Sequence, residues 1–342
     1  MRNKQFTINL SHNNGHIVRI GLLALASLMA ISCNNDDDGD DRLGNWVDRS
    51  IFDGTPRSNS AAFTINNIGY MGTGYDGDDY LKDFWAYDMD GNFWIQLSDF
   101  PGVERSAASS FAIGNRGYMG TGFDGDNELA DFYEYNPQNN TWAPISDFGG
   151  GVRRSAIGFN SESTGYVGTG FDGDNDKKDF WEYDPNADTW TELIGFGGSK
   201  RRDGTAFSIG NTVYIGTGIS NGVFADDFWA FNTNNETWTE LDPIDAEDDY
   251  EIARSGASGF ALNGRGYIAG GNLGAGASTT VWEYDPSSDS WEQKTSIEKT
   301  SRENPISFYN DSRAFLALGR SGTLYLDDNF EFFPFQEEDE DD

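Results

Sequence analysis

Beyond residue 43 the chain runs as short apolar or alternating segments, separated by glycine, Asn-Asn or Asp-Pro turns. Runs this brief, bounded by turn residues, read as strands rather than helices. Around the middle of the first half they predict four strands, near 106–113, 117–120, 131–135 and 141–145, one four-stranded antiparallel sheet. A lone sheet of this size cannot bury both faces, so it requires neighbours of the same kind.

The neighbours are present as repeats. Arg57, Arg105, Arg154, Arg202, Arg254 and Arg302 recur at spacings of 48, 49, 48, 52 and 48. An aromatic follows each, at Tyr70, Tyr118, Tyr166, Tyr214, Tyr267 and Phe315, in segments reading GYMGTG, GYMGTG, GYVGTG, VYIGTG and GYIAGG in the first five. Next come Trp85, Tyr133, Trp181, Trp229 and Trp282, and nine residues after each stands Trp94, Trp142, Trp190, Trp238 or Trp291. A fixed period of this length is the signature of radially or linearly stacked units. The aromatics would fill the wedges between stacked sheets, and the glycines would allow backbones to approach where sheets crowd an axis.

This combination of a basic residue opening the unit, a Gly-rich strand end, an aromatic pair and a trailing Trp resembles the kelch repeat, over roughly 46–335. The resemblance implies an all-β fold, a six-bladed kelch-type β-propeller of four-stranded antiparallel blades over 43–335. Trp46 lies 48 residues before Trp94 and 11 before Arg57, the offsets of an outer strand. The segment at 46–50 is therefore expected to complete the sixth blade. The alternative gives that place to Phe330-Glu331-Phe332-Phe333, with Trp46 packed alongside.

The first 33 residues do not belong to this pattern. They hold Arg2, Lys4 and Arg19 and no acid, then an apolar run from Ile20 to Ile31, too short to span a bilayer as a helix. The run ends in Ala30-Ile31-Ser32-Cys33, which resembles a bacterial lipobox, and implies lipidation of Cys33 after removal of a signal peptide. Residues 34–42 then read as an acidic flexible spacer and 336–342 as an acidic tail. The expectation is an outer-membrane lipoprotein, on the cell surface or the periplasmic face.

Composition narrows the chemistry. The 342 residues carry 57 acids and 23 bases, a net charge of −34, which excludes a nucleic-acid partner. Its 42 glycines and 50 aromatics do not suit a helical bundle. One Cys excludes an intrachain disulfide. The two histidines, His12 and His16, both lie in the expected leader. Without them the mature chain has no Ser-His-Asp or Cys-His nucleophile and no His-based zinc or copper site. Galactose oxidase activity, known among kelch relatives, is thus not expected, and neither a catalytic residue, a metal nor a cofactor is assigned.

Ligand-binding candidates are the six arginines, Arg57, Arg105, Arg154, Arg202, Arg254 and Arg302, which would form a carboxylate receptor if they ringed one mouth of the channel. In the alternative, each pairs with a nearby Asp at a blade junction. The DGD loops at 75–79, 123–127 and 171–175 superficially resemble calcium loops but lack the full ligand set, and are expected to be turns. Asp83, Asp131, Asp179 and Asp227 are expected to hold backbone N–H groups of those loops. Segments 242–253 and 271–280 and the basic Lys200-Arg201-Arg202 break the repeat symmetry. Glu104 and Glu251 are the carboxylates nearest the repeat-opening arginines. The function expected is a membrane-anchored, non-catalytic binding module for a glycan or protein partner. The alternatives are a metal-free carbohydrate-acting enzyme, such as the N-acetylneuraminate mutarotase among kelch relatives, and a structural surface component.

Overall fold

The computed structural model describes residues 42–247 and 250–339. Cys33, the segments expected to be a leader and a spacer up to Asp41, and the end of the acidic tail lie outside the described residues. Every regular element among the described residues is a strand, and no helix there is long and apolar enough to cross a membrane.

The repeat period maps directly onto sheets. The second repeat supplies Ser109–Ile113, Arg116–Gly120, Phe132–Asn136 and Thr141–Ile145, close to the segments expected from the pattern, paired in that order and antiparallel throughout. Six such four-stranded sheets form. Their innermost strands are Ala61–Ile65, Ser109–Ile113, Ile157–Asn160, Thr205–Ile209, Ser258–Leu262 and Ile306–Tyr309. Each touches the next, and the last touches the first, so the sheets close into a six-bladed propeller around an axial channel.

The N-terminal strand closes the ring. Asn45–Asp48 pairs with Asn329–Phe333, placing Trp46 opposite Phe332, and becomes the outermost strand of blade six. The C-terminal run Asn329–Phe333 is the third strand of that blade, so of the two closures open from the sequence the N-terminal one is realised. Trp46 is fully buried, with its ring centre 4.4 Å from that of Phe332 and 6.4 Å from that of Phe260. Buried Glu331 joins the two ends electrostatically, 2.6 Å from Arg313 Nε and 2.7 Å from Arg49.

Wedges between blades hold the repeated aromatics. Phe63 of blade one stacks on Tyr70, and Tyr70 meets Tyr135 of blade two at 5.7 Å. Phe84 packs edge-on against Trp142 of blade two. The outer tryptophans also tie blades by polar bonds: Trp94, Trp142 and Trp190 donate from Nε1 to the carbonyls of Ser50, Ser98 and Ser146, each on the preceding blade. Gly117 lies directly under Phe63, and a Cβ there would fall inside that ring. The glycine of each GY pair is thus a requirement of blade packing.

Candidate functional site

The six arginines do not ring one mouth as a set, and the alternative of Asp pairing at the blade junctions is realised for Arg57, Arg105 and Arg302. Arg57, Arg105, Arg254 and Arg302 are fully buried at the blade junctions. In blades three and four the equivalent residue is Arg153 and Arg201, one position before Arg154 and Arg202. The register follows from two features around each buried arginine. A Phe stands five residues earlier in the first four blades (Phe52, Phe100, Phe148 and Phe196), with the guanidinium 4.8 to 6.0 Å from its ring centre. An Asp stands 26 residues later: Arg105 makes a fork on Asp131 at 2.6 and 2.7 Å, and Arg153 one on Asp179 at 2.8 and 3.0 Å. Asp83 pairs likewise with Arg57, Asp227 with Arg201 and Asp328 with Arg302.

Asp83, Asp131, Asp179 and Asp227 therefore serve guanidinium groups, correcting the expectation that they hold N–H groups of the DGD loops; Asp227 also accepts the backbone N–H of Ser199 at 2.9 Å. Burial alone would raise the carboxyls of Asp83 and Asp179. The hydrogen bonds and charge of their arginines, with the indole N–H of Trp85 or Trp181, overcome this and hold them below the usual range. Blade five departs from the rule. Thr280 stands where the Asp belongs, and Arg254 donates instead to the carbonyls of Gly270, Glu251 and Ile252 at 2.6 to 2.9 Å. Burial pushes its pKa down to about 10.

The axial channel has two unlike mouths. At the narrow one, where the innermost strands begin, the six residues two positions past the buried arginines all adopt left-handed backbone: Asn59, Ala107, Ser155, Asp203, Gly256 and Asn304. Each N–H donates to the carbonyl of the equivalent residue one blade back, and Asn59 donates to Asn304. The result is a closed ring of six backbone hydrogen bonds about the axis. Asp203 is the titratable residue of this ring, and burial raises its carboxyl pKa. Arg154 and Arg202 do lie on this face, half-buried. Arg154 sits between Phe123 and Phe171, 4.6 and 4.9 Å from their centres, and pairs with Glu128 at 3.2 Å. Arg202 pairs with Asp176 at 2.7 Å and Arg320 with Glu303 at 2.9 Å. Glu128 with Arg154 and Asp176 with Arg202 are one pair repeated at two successive blade junctions, and Glu303 with Arg320 lies within the sixth repeat. Each is self-neutralised, which suits a clamp between blades better than a receptor for another carboxylate.

The wide mouth opens where the innermost strands end, into a cup of about 690 Å³. Side chains at every second position of those strands face it. One layer is Ala62, Ser110, Gly158, Ala206, Gly259 and Ser307; the next is Thr64, Ala112, Asn160, Ser208, Ala261 and Tyr309. None carries a charge. Tyr309 is the one large side chain of its layer, and its phenol reaches toward Ser208, two blades away, so the ring lies across the channel. Glu162 and Asp311, on turns of blades three and six at opposite sides of the ring, are the carboxylates at the rim. This cup was not singled out from the sequence. Its signal there is the alternation of small uncharged residues with buried aromatics in the six first strands.

The remaining candidates resolve locally. Asp76, Asp124 and Asp172 each accept two backbone N–H bonds within their own DGD loop, at 2.7 to 3.0 Å, which is turn chemistry. In 271–280 Asn272 accepts the same way from Gly274. Glu104 pairs with Lys82 on the surface, and Glu251 gives its carbonyl to Arg254. The extra residues of 242–253 bury Ile244 and Ile252 and lay Tyr250 against Trp282. Of the basic cluster, Lys200 is exposed, Arg201 buried and Arg202 paired.

Blades, ring closure and channel define a six-bladed β-propeller. A sequence model of the Kelch motif matches residues 253–296, which lie in the fifth repeat. Among solved structures the chain is similar to that of YjhT, with a TM-score of 0.71 and 17% identity over 82% of this chain and 96% of that one. At this identity the likeness is one of fold. No curated protein matches the sequence. The chain is a kelch-repeat β-propeller, a fold that serves as a binding or scaffolding module.

Proposed function

We propose that the protein is a lipid-anchored, extracytoplasmic binding module that takes a glycan in the wide mouth of its propeller. The observation that carries this reading is the cup itself. A concavity of about 690 Å³ falls within the usual range of small-ligand sites. In a chain of net charge −34 its walls are uncharged, with hydroxyls, an amide and one aromatic ring converging on it. Anchoring through Cys33 rests on the lipobox-like Ala30-Ile31-Ser32-Cys33 and the acidic spacer behind it.

Residues 42–342, purified without the leader, test the binding reading in a thermal-shift screen of neutral and acidic sugars. A ligand at a hundred times its dissociation constant adds about 2.7 kcal/mol and raises Tm visibly. A shift with any sugar supports the reading, and an anomer-exchange NMR assay on that sugar then separates binding from mutarotation. No shift with any sugar overturns it in favour of a protein partner. Cys33→Ser tests the anchor: release from the membrane fraction is expected, and unchanged fractionation removes the lipoprotein claim.

A further inference from the structure

We infer that the wide mouth selects an uncharged sugar, laid against the ring of Tyr309 and read by the polar side chains of the innermost strands. The inference rests on the glycan reading above and adds the ligand class. Lysine and arginine are absent from the lining, and the rim carries two exposed carboxylates, Glu162 and Asp311, on opposing blades. Neither has a cation within ion-pair distance among the described residues. An anionic sugar would meet like charge at the rim and find no counter-ion within. An amine would be drawn to the rim, but entering the cup would strip its hydration against walls that offer no carboxylate. A wholly apolar ligand would leave unused the exposed amide of Asn160 and the remaining acceptor capacity of Ser110 and Thr64, whose hydroxyls already bond the Ala62 carbonyl and the Tyr309 N–H.

A pyranose meets all three conditions. It is uncharged, its hydroxyls are donors and acceptors around its edge, and one face is apolar enough to lie on an aromatic ring. Tyr309 provides that ring in partly exposed form, reaching across the channel toward Ser208. Asn160 is exposed at the same level, on the blade facing Tyr309 across the axis. The channel beyond narrows to a space of about 200 Å³ lined by small residues on its way to the narrow mouth. The ligand therefore enters by its end, and the cup reads a terminal sugar.

Isothermal titration with maltotriose and N-acetylchitobiose, against glucuronate and N-acetylneuraminate, tests this at low and at physiological salt, on wild type and on Tyr309→Phe, Tyr309→Ala and Asn160→Ala, each first checked for an unchanged melt. A neutral sugar is expected to bind. Tyr309→Phe should hold its affinity within about threefold, while Tyr309→Ala and Asn160→Ala weaken it by about tenfold. The acidic sugars should bind more weakly, with the gap closing as salt screens the rim. An acidic sugar that binds tighter than the neutral ones, and loses affinity in Asn160→Ala, overturns the neutral selectivity and leaves the glycan reading standing. A folded Tyr309→Ala that binds as wild type removes the site from the wide mouth. Absence of binding by every sugar overturns both readings.

Discussion

A buried charge is tolerable only where its partners are supplied, and the six junction arginines show this one at a time. Five face an Asp 26 residues on, and Arg254 faces Thr280. Among the described residues no carboxylate lies within ion-pair distance of Arg254, and its lowered pKa reports the cost of that burial. Thr280→Asp restores the pair found in the other blades. The gain from a charge-assisted fork is offset by desolvating a new carboxylate, leaving an expected stabilisation of about 1 kcal/mol and a Tm increase of about 2 °C at pH 7. The sign with pH follows from the sister residues, whose carboxyls are held below their usual values. A depressed folded pKa adds stability above the unfolded value, lost as pH falls through the folded one. The variant's advantage should therefore vanish in acid, and calorimetry at pH 7 and near pH 2.5 checks it. An advantage that persists in acid would mean that the new side chain acts by packing.

Between blades the limiting quantity is space. Gly117 has ordinary extended backbone, and what excludes a side chain is Phe63 of the preceding blade lying directly over it. The same relation holds for Gly165 under Phe111 and Gly266 under Phe207. Gly117→Ala is expected to destabilise by about 2 kcal/mol through overpacking of a wedge that cannot expand, whereas Ala for Gly on an exposed strand would be near neutral or helpful. Urea unfolding measures it as a lowered midpoint with an unchanged slope. These contacts explain which parts of the molecule were legible. A duplicated wedge forces the same aromatics and glycines into every blade, so blade number, strand order and the closing strand could be read from spacing. The arginine register was misread at Arg154 and Arg202 because each follows another arginine, and only the Phe before and the Asp after tell the buried member of the pair. The narrow-mouth pairs of Glu128 and Asp176 were invisible since their partners come from the next repeat, and that of Glu303 since Arg320 has no counterpart in the other repeats. The wide cup was missed because Thr, Ser, Ala and Asn on a first strand carry no motif. Their role exists only once six strands stand around one axis.

At the scale of the whole molecule one short strand has two duties. Asn45–Asp48 closes the ring, and in the proposed anchored form it would also be the first strand of the propeller after the tether. As an outermost strand antiparallel to Asn329–Phe333, it begins at the wide-mouth side, with Asn45 opposite Phe333. The chain therefore enters the propeller on the same side as the cup, and in the proposed anchored form a pull on it would reach the closing strand first. What resists is local: Trp46 seated among Phe260, Phe330 and Phe332, Arg49 and Lys299 pairing across the closure with Glu331 and Asp48, and ladder bonds to one neighbour. Trp46→Ala empties the largest of these side chains from a fully buried site and should cost about 4 kcal/mol. Starting the chain at residue 50 removes the strand altogether. That leaves the third strand of blade six as an open edge and exposes the Phe330 and Phe332 wedge to water. The truncated protein is expected to melt in two steps, blades six and one before the rest, and to self-associate through the open edge, both visible by calorimetry and sedimentation. Adding a peptide of residues 42–50 should restore a single transition by pairing with Asn329–Phe333. A truncated chain that stays monomeric and melts in one step at the wild-type temperature would show that the five complete blades hold the ring without its closing strand.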